Sequence, residues 1–230
     1  DTYEINRHIP NLDHLAATWE QSLFGCQPAL LFAKALPGHI FSELFDMGYA
    51  AYYPMIAATA VYYFGWHYKE FNRAAFVILS SFFIYYVIFI FLPVVGPTFY
   101  YKAIGLQQAA AGVFPNLHDY FNHHQECLPS PGYTDGIFYH LVEDAKAAGE
   151  RPTAAFPSSH VGVSTVCMLL LWHDRNYRLL AVLAPFYILL CCATVYIQAH
   201  YLIDAIAGFI TACIIFAILM RLSRNMITKE

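Results

Sequence analysis

The hydrophobic positions of this chain fall into five long runs that short polar connections separate. The runs cover residues 48–66, 74–92, 153–172, 179–197 and 201–220. Each run approaches the length of about 20 residues that an α-helix needs to cross a bilayer. Each is also apolar around its whole circumference rather than along one stripe. The pattern therefore predicts five transmembrane helices.

The composition supports this prediction, since 59% of the 230 residues are hydrophobic and 12% are charged, whereas soluble domains carry about 25% charged residues. The alternative is that the runs are core helices of a soluble protein. A chain of this length cannot supply enough polar helices and strands to cover five helices that are apolar on every side. We therefore predict an all-α fold, a polytopic transmembrane helical bundle.

Basic residues in the short connections predict the orientation in the membrane. The residues concerned are Lys69, Arg73, Arg175, Arg178, Arg221, Arg224 and Lys229. A consistent threading of the five helices places all of them on one side, which an excess of Lys and Arg in short loops identifies as cytoplasmic. Residues 1–43, the loop at residues 93–152 and the turn near His200 are then extracytoplasmic.

The N-terminal segment has a different pattern. Residues 11–36 alternate apolar and polar groups at helical spacing and are interrupted at Pro28, which is typical of helices that lie in the membrane interface. We therefore divide the chain into an interfacial segment at residues 1–43 and a membrane-embedded catalytic domain at residues 44–230. The chain begins at Asp1 rather than at a methionine, which indicates that a signal peptide or a sixth span was removed from the precursor.

The long loop at residues 93–152 contains turn-forming Gly and Pro and one short helical stretch, IFYHLVEDAKAA. A loop of this length in a compact protein is usually functional or disordered. Its segment HDYFNHHQE, at residues 118–126, has enough His and acidic residues for a metal site. No metal-ligand spacing is present in it, so a solvated loop is the favoured interpretation and no metal site is predicted.

The cysteines say little about function. Those in the predicted spans, where they are most simply small apolar residues, are Cys167, Cys191, Cys192 and Cys213. Cys26 and Cys127 are both predicted to be extracytoplasmic, where an oxidising compartment permits a disulfide. The sequence does not show whether the two are close, so their pairing stays open.

Polar residues at the outer end of one apolar run indicate an anion site. The segment AAFPSSHVG covers residues 154–162. Pro157 suits the first turn of a helix, where its missing N–H costs nothing. The amides around Ser158, Ser159 and His160 would then be free to bind an anion, and the hydroxyls add donors. The predicted ligand of Ser158 and Ser159 is a phosphate.

A second polar intrusion lies at the outer end of the last run. His200 and Asp204 are four residues apart, on one face of a predicted helix. Asp204 can therefore accept a hydrogen bond from one ring nitrogen of His200 and point the other nitrogen at a substrate. His160 and His200 are predicted at the same membrane depth, where they can act as acid and nucleophile. A purely structural role is the alternative for each residue taken alone.

These residues resemble the signatures of a known family. PSSH at residues 157–160 and HYLID at residues 200–204 are similar to the second and third signatures of the type-2 phosphatidic acid phosphatase superfamily, which includes vanadium haloperoxidases. The resemblance covers about residues 44–221. It implies a membrane-embedded helical enzyme without a metal or other cofactor. It also implies that His200 attacks phosphorus, that His160 protonates the leaving group and that Asp204 orients the nucleophile.

The chain departs from the family pattern in two places. The family's first signature is a lysine, six residues and then Arg-Pro, whereas Lys102 has no Arg-Pro at that spacing and Arg151-Pro152 has Asp144 in the lysine position. The third signature usually carries an arginine six residues before its histidine, where this chain has Thr194. Because a transferring phosphoryl group needs cationic donors, we expect Arg151 to be the substitute, with Lys102 second.

Thr194, together with a Gly-Pro pair in the first loop, is similar to the branch that contains fungal inositol phosphorylceramide synthases. That branch has transferases as well as phosphatases. The expected function is therefore a lipid phosphate or pyrophosphate phosphatase that acts through a phosphohistidine at the outer membrane face. The alternative is a phosphotransferase that moves a phospho-headgroup, such as phosphoinositol, from a phospholipid to ceramide or another lipid alcohol.

A second alternative is a non-enzymatic membrane transporter that uses His160, His200 and Asp204 as a proton relay. The expected partners are a lipid phosphate substrate and membrane lipids, with no nucleic acid. The oligomeric state and the lipid tail are left open, because the residues that would select a tail have the same apolar character as packing residues.

Overall fold

A computed structural model describes residue 5, residues 8–149 and residues 151–225. The α-helices of this part of the chain are α1 (Asp13–Phe24), α2 (Pro28–Ala35), α3 (His39–Ala50), α4 (Tyr52–Trp66), α5 (Phe71–Phe91), α6 (Pro97–Ile104), α7 (Leu106–Ala110), α8 (Ile137–Gly149), α9 (Ser159–His173), α10 (Tyr177–Tyr196) and α11 (Leu202–Leu222). Short 3₁₀ turns cover Tyr68–Glu70, Tyr120–Asn122 and Ser223–Asn225. The predicted all-α helical membrane bundle is confirmed.

Helix α9 is the centre of the bundle. It packs against α4, α5, α10 and α11. Val163, Val166 and Cys167 on this helix have no exposed surface, which agrees with its apolar character on all sides. Because α9 is surrounded by other helices, the residues at its N-terminus lie in the interior of the bundle rather than on its periphery.

The structure corrects two of the predicted spans. Helices at Tyr68–Phe91, Tyr177–Tyr196 and Leu202–Leu222 have the length and hydropathy of membrane spans. The run predicted at residues 153–172 contains a shorter apolar helix, Ser159–His173, because the preceding segment is extended and Ala154 forms a bridge with Val94. The run predicted at residues 48–66 is divided between α3 and α4.

Two glycines allow the helices around α9 to approach closely. A Cβ atom at Gly162 would lie 2.0 Å from the hydroxyl of Tyr85 on α5, and one at Gly208 on α11 would lie 2.4 Å from the carbonyl oxygen of Ser158. The Tyr85 hydroxyl also donates to the carbonyl of Gly208, at 3.0 Å. The absence of these side chains therefore lets α5 and α11 enclose the N-terminal end of α9.

The long loop at residues 93–152 is partly helical. The helical stretch predicted near its end is confirmed as α8, and α6 and α7 lie in its first third. The Thr98 hydroxyl donates to the carbonyl of Leu128, at 3.0 Å, and the Leu128 amide donates to the carbonyl of Thr98, also at 3.0 Å. The described part of this loop is thereby folded back on the helices rather than extended away from them.

The orientation predicted from the basic connections can be measured by labelling. Cysteines introduced at His118 or Asp135 should react with an impermeant maleimide added outside intact cells, because the long loop is predicted to be extracytoplasmic. Cysteines at Glu70 or Arg175 should react after permeabilisation only. The unmodified chain supplies the background from its own cysteines. Labelling of position 175 in intact cells would overturn the orientation.

Candidate active site

The segment PSSH, at residues 157–160, lies at the start of α9. Ser158 is the N-cap residue, and its hydroxyl oxygen accepts from the Val161 amide, at 3.4 Å. Pro157 therefore precedes the cap, and the prediction that it lies in the first helical turn is wrong. The Ser158 amide donates to the carbonyl of Asp204, at 3.0 Å. This bond and the close approach at Gly208 attach the start of α9 to α11.

His160 and His200 meet at this end of the bundle. His160 lies in the first turn of α9, whereas His200 lies in the non-helical turn between α10 and α11. Nδ1 of His160 is 3.3 Å from Nε2 of His200. The His200 amide donates to the carbonyl of Thr194, at 2.9 Å, which fixes the backbone of the turn to the end of α10. The structure therefore places the two histidines side by side.

The backbone carbonyl of Ala155 is the nearest partner of the other His200 nitrogen. Nδ1 of His200 lies 2.9 Å from that oxygen and 3.7 Å from Oδ2 of Asp204. The second distance is too long for a hydrogen bond, so the predicted direct bond between His200 and Asp204 is not formed. Asp204 Oδ2 instead accepts from the Tyr201 amide, at 2.9 Å, and caps the start of α11.

This environment determines the protonation state of His200. Burial lowers the pKa of His200 to about 4, and the hydrogen bond with the Ala155 carbonyl opposes that shift only in part. The ring is therefore neutral at pH 7. With its proton on Nδ1, where the carbonyl accepts it, the lone pair of Nε2 faces Nδ1 of His160.

The two histidines line a cavity of about 670 Å³. Its polar lining includes Lys146, Arg151, Ser159, His160 and His200. Its aromatic lining comes from Tyr49 on α3, from Tyr52 and Tyr53 on α4, and from Phe82, Tyr86 and Phe89 on α5. The rings of Tyr49 and Tyr52 lie 4.8 and 4.5 Å from the ring of His160. The cavity therefore combines polar groups with aromatic rings, and two of these rings pack against His160.

The predicted phosphate ligands occupy different places. Ser159 and Arg151 line the cavity, and the Arg151 guanidinium donates to the side-chain oxygen of Gln125, at 2.7 Å. Ser158 is fully buried and uses its hydroxyl as the helix cap. Lys102 is exposed near the end of α6 and is not among the residues that line this cavity. The structure therefore brings Ser159 and Arg151 to the histidines and leaves Lys102 away from them.

Lys146 is a lining residue that the sequence analysis missed. Its side chain is buried on α8, and its Nζ lies 2.7 Å from the Ser130 hydroxyl and 3.0 Å from Oε1 of Glu143. The sequence did contain a signal for it, because Lys146 precedes Arg151-Pro152 by four intervening residues. This is the lysine and Arg-Pro order of the family's first signature with a spacing that is shorter by two residues.

The structure also bears on the possible disulfide and on the possible metal site in the long loop. No disulfide joins Cys26 and Cys127 in the structure. Within the described residues, no group of three or more His, Cys, Asp or Glu side chains is arranged to hold a metal ion, and this includes residues 118–126.

Comparisons with known proteins identify the family. No curated protein and no solved structure matches the chain. Residues 17–218 match the family described as the PAP2 superfamily, and this range contains both histidines, Asp204 and all of the residues that line the cavity. The match extends over most of the chain, and the protein therefore belongs to the PAP2 superfamily.

Proposed function

We propose that the protein is a phosphatase for lipid phosphates or pyrophosphates that acts through a phosphohistidine on His200. The observation that carries this proposal is the contact of 3.3 Å between His200 Nε2 and His160 Nδ1 on the wall of a large cavity. Membership of the PAP2 superfamily supports phosphatase or phosphotransferase chemistry. The neutral ring of His200 supplies a nucleophile, and His160 is the nearest group that can carry a proton to a leaving group.

The proposed reaction has two steps. In the first, His160 is in its imidazolium form, whose positive charge the bound phosphate group stabilises. Nε2 of His200 attacks phosphorus, and the bond between phosphorus and the lipid oxygen breaks. That oxygen keeps the electron pair of the broken bond and takes the extra proton of His160, which becomes neutral. In the second, His160 removes a proton from water, the water oxygen attacks phosphorus, and the bond to His200 breaks to release phosphate. The space between the two nitrogens is too small for a phosphoryl group, so we expect the rings to separate when substrate binds.

Cationic and neutral donors at the polar end would stabilise the phosphate. Arg151 and Ser159 line the cavity, and Lys146 adds a buried ammonium group. The amides of Ser159 and His160 precede the first hydrogen bond within α9, whereas the Val161 amide donates to the Ser158 cap, and the start of this helix is therefore suitable for an anion. We therefore propose that Lys146 and Arg151 together replace the cations of the family's first and third signatures, and phosphate binding by Lys102 stays a prediction from the sequence alone.

The aromatic part of the cavity supports a lipid substrate. Tyr53 and Tyr86 line the cavity and are also 71% and 47% exposed, so the cavity reaches the outer surface of α4 and α5. Helix α5 belongs to a candidate membrane span, and in a bilayer this opening would face lipid. A phosphate bound at the histidines would then have its acyl or isoprenyl tail between these rings. The orientation predicted from the basic residues of the short connections supports a site at the extracytoplasmic face.

A phosphotransferase is the second candidate, and Thr194 is the observation that favours it. Thr194 stands where the third signature usually has arginine, and its hydroxyl donates within α10 to the carbonyl of Cys191, at 2.8 Å. This position therefore supplies no cation to the phosphate, as in the branch of inositol phosphorylceramide synthases that the sequence resembles. The transferase would use a lipid alcohol, in place of water, in the second step.

The choice of acceptor can be tested with purified protein in mixed micelles. We expect free phosphate from phosphatidic acid or an isoprenyl pyrophosphate, without any added acceptor, because hydrolysis needs no second lipid site. A parallel reaction contains phosphatidylinositol with and without ceramide or diacylglycerol. A new phospholipid formed only with the acceptor would establish the transferase. If none of these lipids gives either product, the enzyme proposal is contradicted and the transporter is favoured.

A further inference from the structure

Helix α1 buries its acidic residues and exposes its large apolar ones. Asp13 and Glu20 have no exposed surface, whereas Leu15, Trp19 and Leu23 are 42%, 59% and 70% exposed. Burial of a carboxylic group is costly unless hydrogen bonds compensate it. The partners of these two carboxyl groups therefore show what the helix is attached to.

Glu20 binds the start of α11, immediately after His200. Its Oε1 accepts from the amides of Leu202, at 2.6 Å, and Ile203, at 3.3 Å. Amides in the first turn of a helix have no partner within the helix. Asp204 takes the amide of Tyr201, so the two carboxyl groups together fix the residues that follow His200.

Asp13 binds both Tyr201 and the chain before α6. Its Oδ2 accepts from the Val95 amide, at 2.7 Å, and its Oδ1 accepts from the Gly96 amide, at 3.0 Å. The Tyr201 hydroxyl donates to the same Oδ1, also at 3.0 Å. The Asn11 side chain adds a fourth donor, to Oδ2 at 2.7 Å. Both oxygens of Asp13 are therefore used.

The chain that Asp13 binds also supports the partner of the His200 ring. The Ala155 amide donates to the carbonyl of Val94, at 2.9 Å, and the Ala155 carbonyl faces Nδ1 of His200. On the other side, a Cβ atom at Gly96 would lie 2.6 Å from the carbonyl oxygen of Ala199. Asp13 thus connects the residue after His200 with the segment that orients its ring.

We propose that Asp13 and Glu20 are positioning residues of the reaction, which hold the turn around His200 so that Nε2 stays directed at the phosphorus atom. Neither side chain contacts the His200 ring, and both act through backbone groups on its two sides. The inference rests on the proposed role of His200 as the nucleophile. It assigns to the N-terminal helix a part in catalysis in addition to any contact with the membrane interface.

The hydrogen-bond patterns predict opposite outcomes for the two amide variants. Glu20 uses one oxygen, and its Oε2 has no hydrogen-bond partner, so the oxygen of glutamine can replace Oε1 without losing a bond. Burial, with Asp204 nearby, also raises the pKa of Glu20 to about 8, so its carboxyl group is neutral at pH 7. Asp13 accepts four bonds through two oxygens, and an asparagine would direct an NH₂ group at donors.

The test measures kcat and KM of the full-length protein on phosphatidic acid. Glu20→Ala, Asp13→Ala and Asp13→Asn should each lower kcat by about 100-fold, since a misplacement of about 1 Å has that cost. KM should change by less than about threefold, because the substrate contacts remain. Glu20→Gln should restore most of the kcat lost in Glu20→Ala. Ser22→Ala, on the exposed side of α1, is the matched control and should retain wild-type kcat.

Folding is measured on the same samples by thermal unfolding and gel filtration. If Glu20→Ala or Asp13→Asn does not fold, Tyr201→Phe removes the bond to Asp13 with less disturbance and should still lower kcat at constant KM. Unchanged kcat in Glu20→Ala would overturn the proposal. A loss of activity that only follows the folded fraction, or no rescue by Glu20→Gln, would also overturn it and leave α1 a structural role.

A second readout separates this inference from the proposed function. Diethyl pyrocarbonate modifies accessible neutral histidines, and peptide mass spectrometry gives the rate at His200. We expect Glu20→Ala and Asp13→Asn to change that rate by more than about threefold, with Glu20→Gln close to the wild type. If the wild type releases no phosphate from any lipid phosphate, the proposed function fails, and equal rates in all variants would independently reject the positioning role.

Discussion

His200→Ala should abolish turnover of every substrate. In the proposed reaction, this substitution removes the nitrogen that forms the bond to phosphorus, and loss of a nucleophile lowers kcat by an expected factor on the order of 10⁴ or more. The measurement is phosphate release by purified protein, with thermal unfolding to show that the variant is folded. Retention of more than about 1% of wild-type kcat would contradict the role of His200 as the nucleophile.

His160→Ala is the matched control for this prediction, because it removes the neighbouring ring and leaves the nucleophile. It should lower kcat by about 10²- to 10⁴-fold on a lipid phosphate, whose alkoxide leaving group needs a proton. The loss should be smaller on p-nitrophenyl phosphate, which has a good leaving group. Orthovanadate should inhibit the wild type, and a chelator should leave its activity unchanged. Activity that requires an added divalent metal would contradict the proposed mechanism.

Substitution of the cavity cations should have the second largest effect. Lys146→Ala and Arg151→Ala should each lower kcat/KM by about 10²- to 10³-fold, since each removes a charged donor from the developing phosphoryl charge. Lys102→Ala should change kcat/KM by less than about threefold, because Lys102 is exposed and away from the cavity. The measurement is steady-state phosphate release from phosphatidic acid. Equal effects of the three changes would show that the cations of the site are misassigned.

A further variant separates charge from packing at Lys146. Glu143→Gln breaks the ion pair between Glu143 and Lys146 and keeps the Lys146 ammonium group with its bond to Ser130. It should therefore lower thermal stability without the large loss of kcat/KM expected for Lys146→Ala. An equal loss in both variants would indicate that the ion pair, rather than the charge on Lys146, is required.

The central part of the site could be predicted from the sequence because its residues are polar whereas the neighbouring positions are apolar. His160, His200 and Asp204 are polar groups at the ends of apolar runs, where a charge or a proton donor is costly unless it is used. Their approach in space followed from the predicted threading of the spans. The partner of His200 Nδ1 could not be predicted, because the Ala155 carbonyl is a backbone group whose position depends on the extended segment beside Val94.

Other parts were missed for physical reasons. The pattern of residues 11–36 indicates interfacial helices and gives no sign that Asp13 and Glu20 are buried, whereas the structure buries both and turns the large apolar residues of α1 outward. In a protein surrounded by lipid, an exposed apolar stripe is favourable, so the usual direction of an amphipathic helix is reversed. Lys146 was missed because its spacing to Arg151 is shorter by two residues than the spacing of the family signature.

The central claim is the covalent phosphohistidine on His200, and trapping it is the most direct measurement. Purified protein is mixed with ³²P-labelled phosphatidic acid, denatured within milliseconds to seconds in alkali, which preserves phosphohistidine, and digested for mass spectrometry. We expect a label that is stable in alkali and labile in acid on the peptide that contains His200, and no label in His200→Ala. The amount of label should be larger when the second step, transfer of the phosphoryl group from His200 to the acceptor, does not turn over. Turnover by the wild type with no trapped label, or with the label on another residue, would contradict the account.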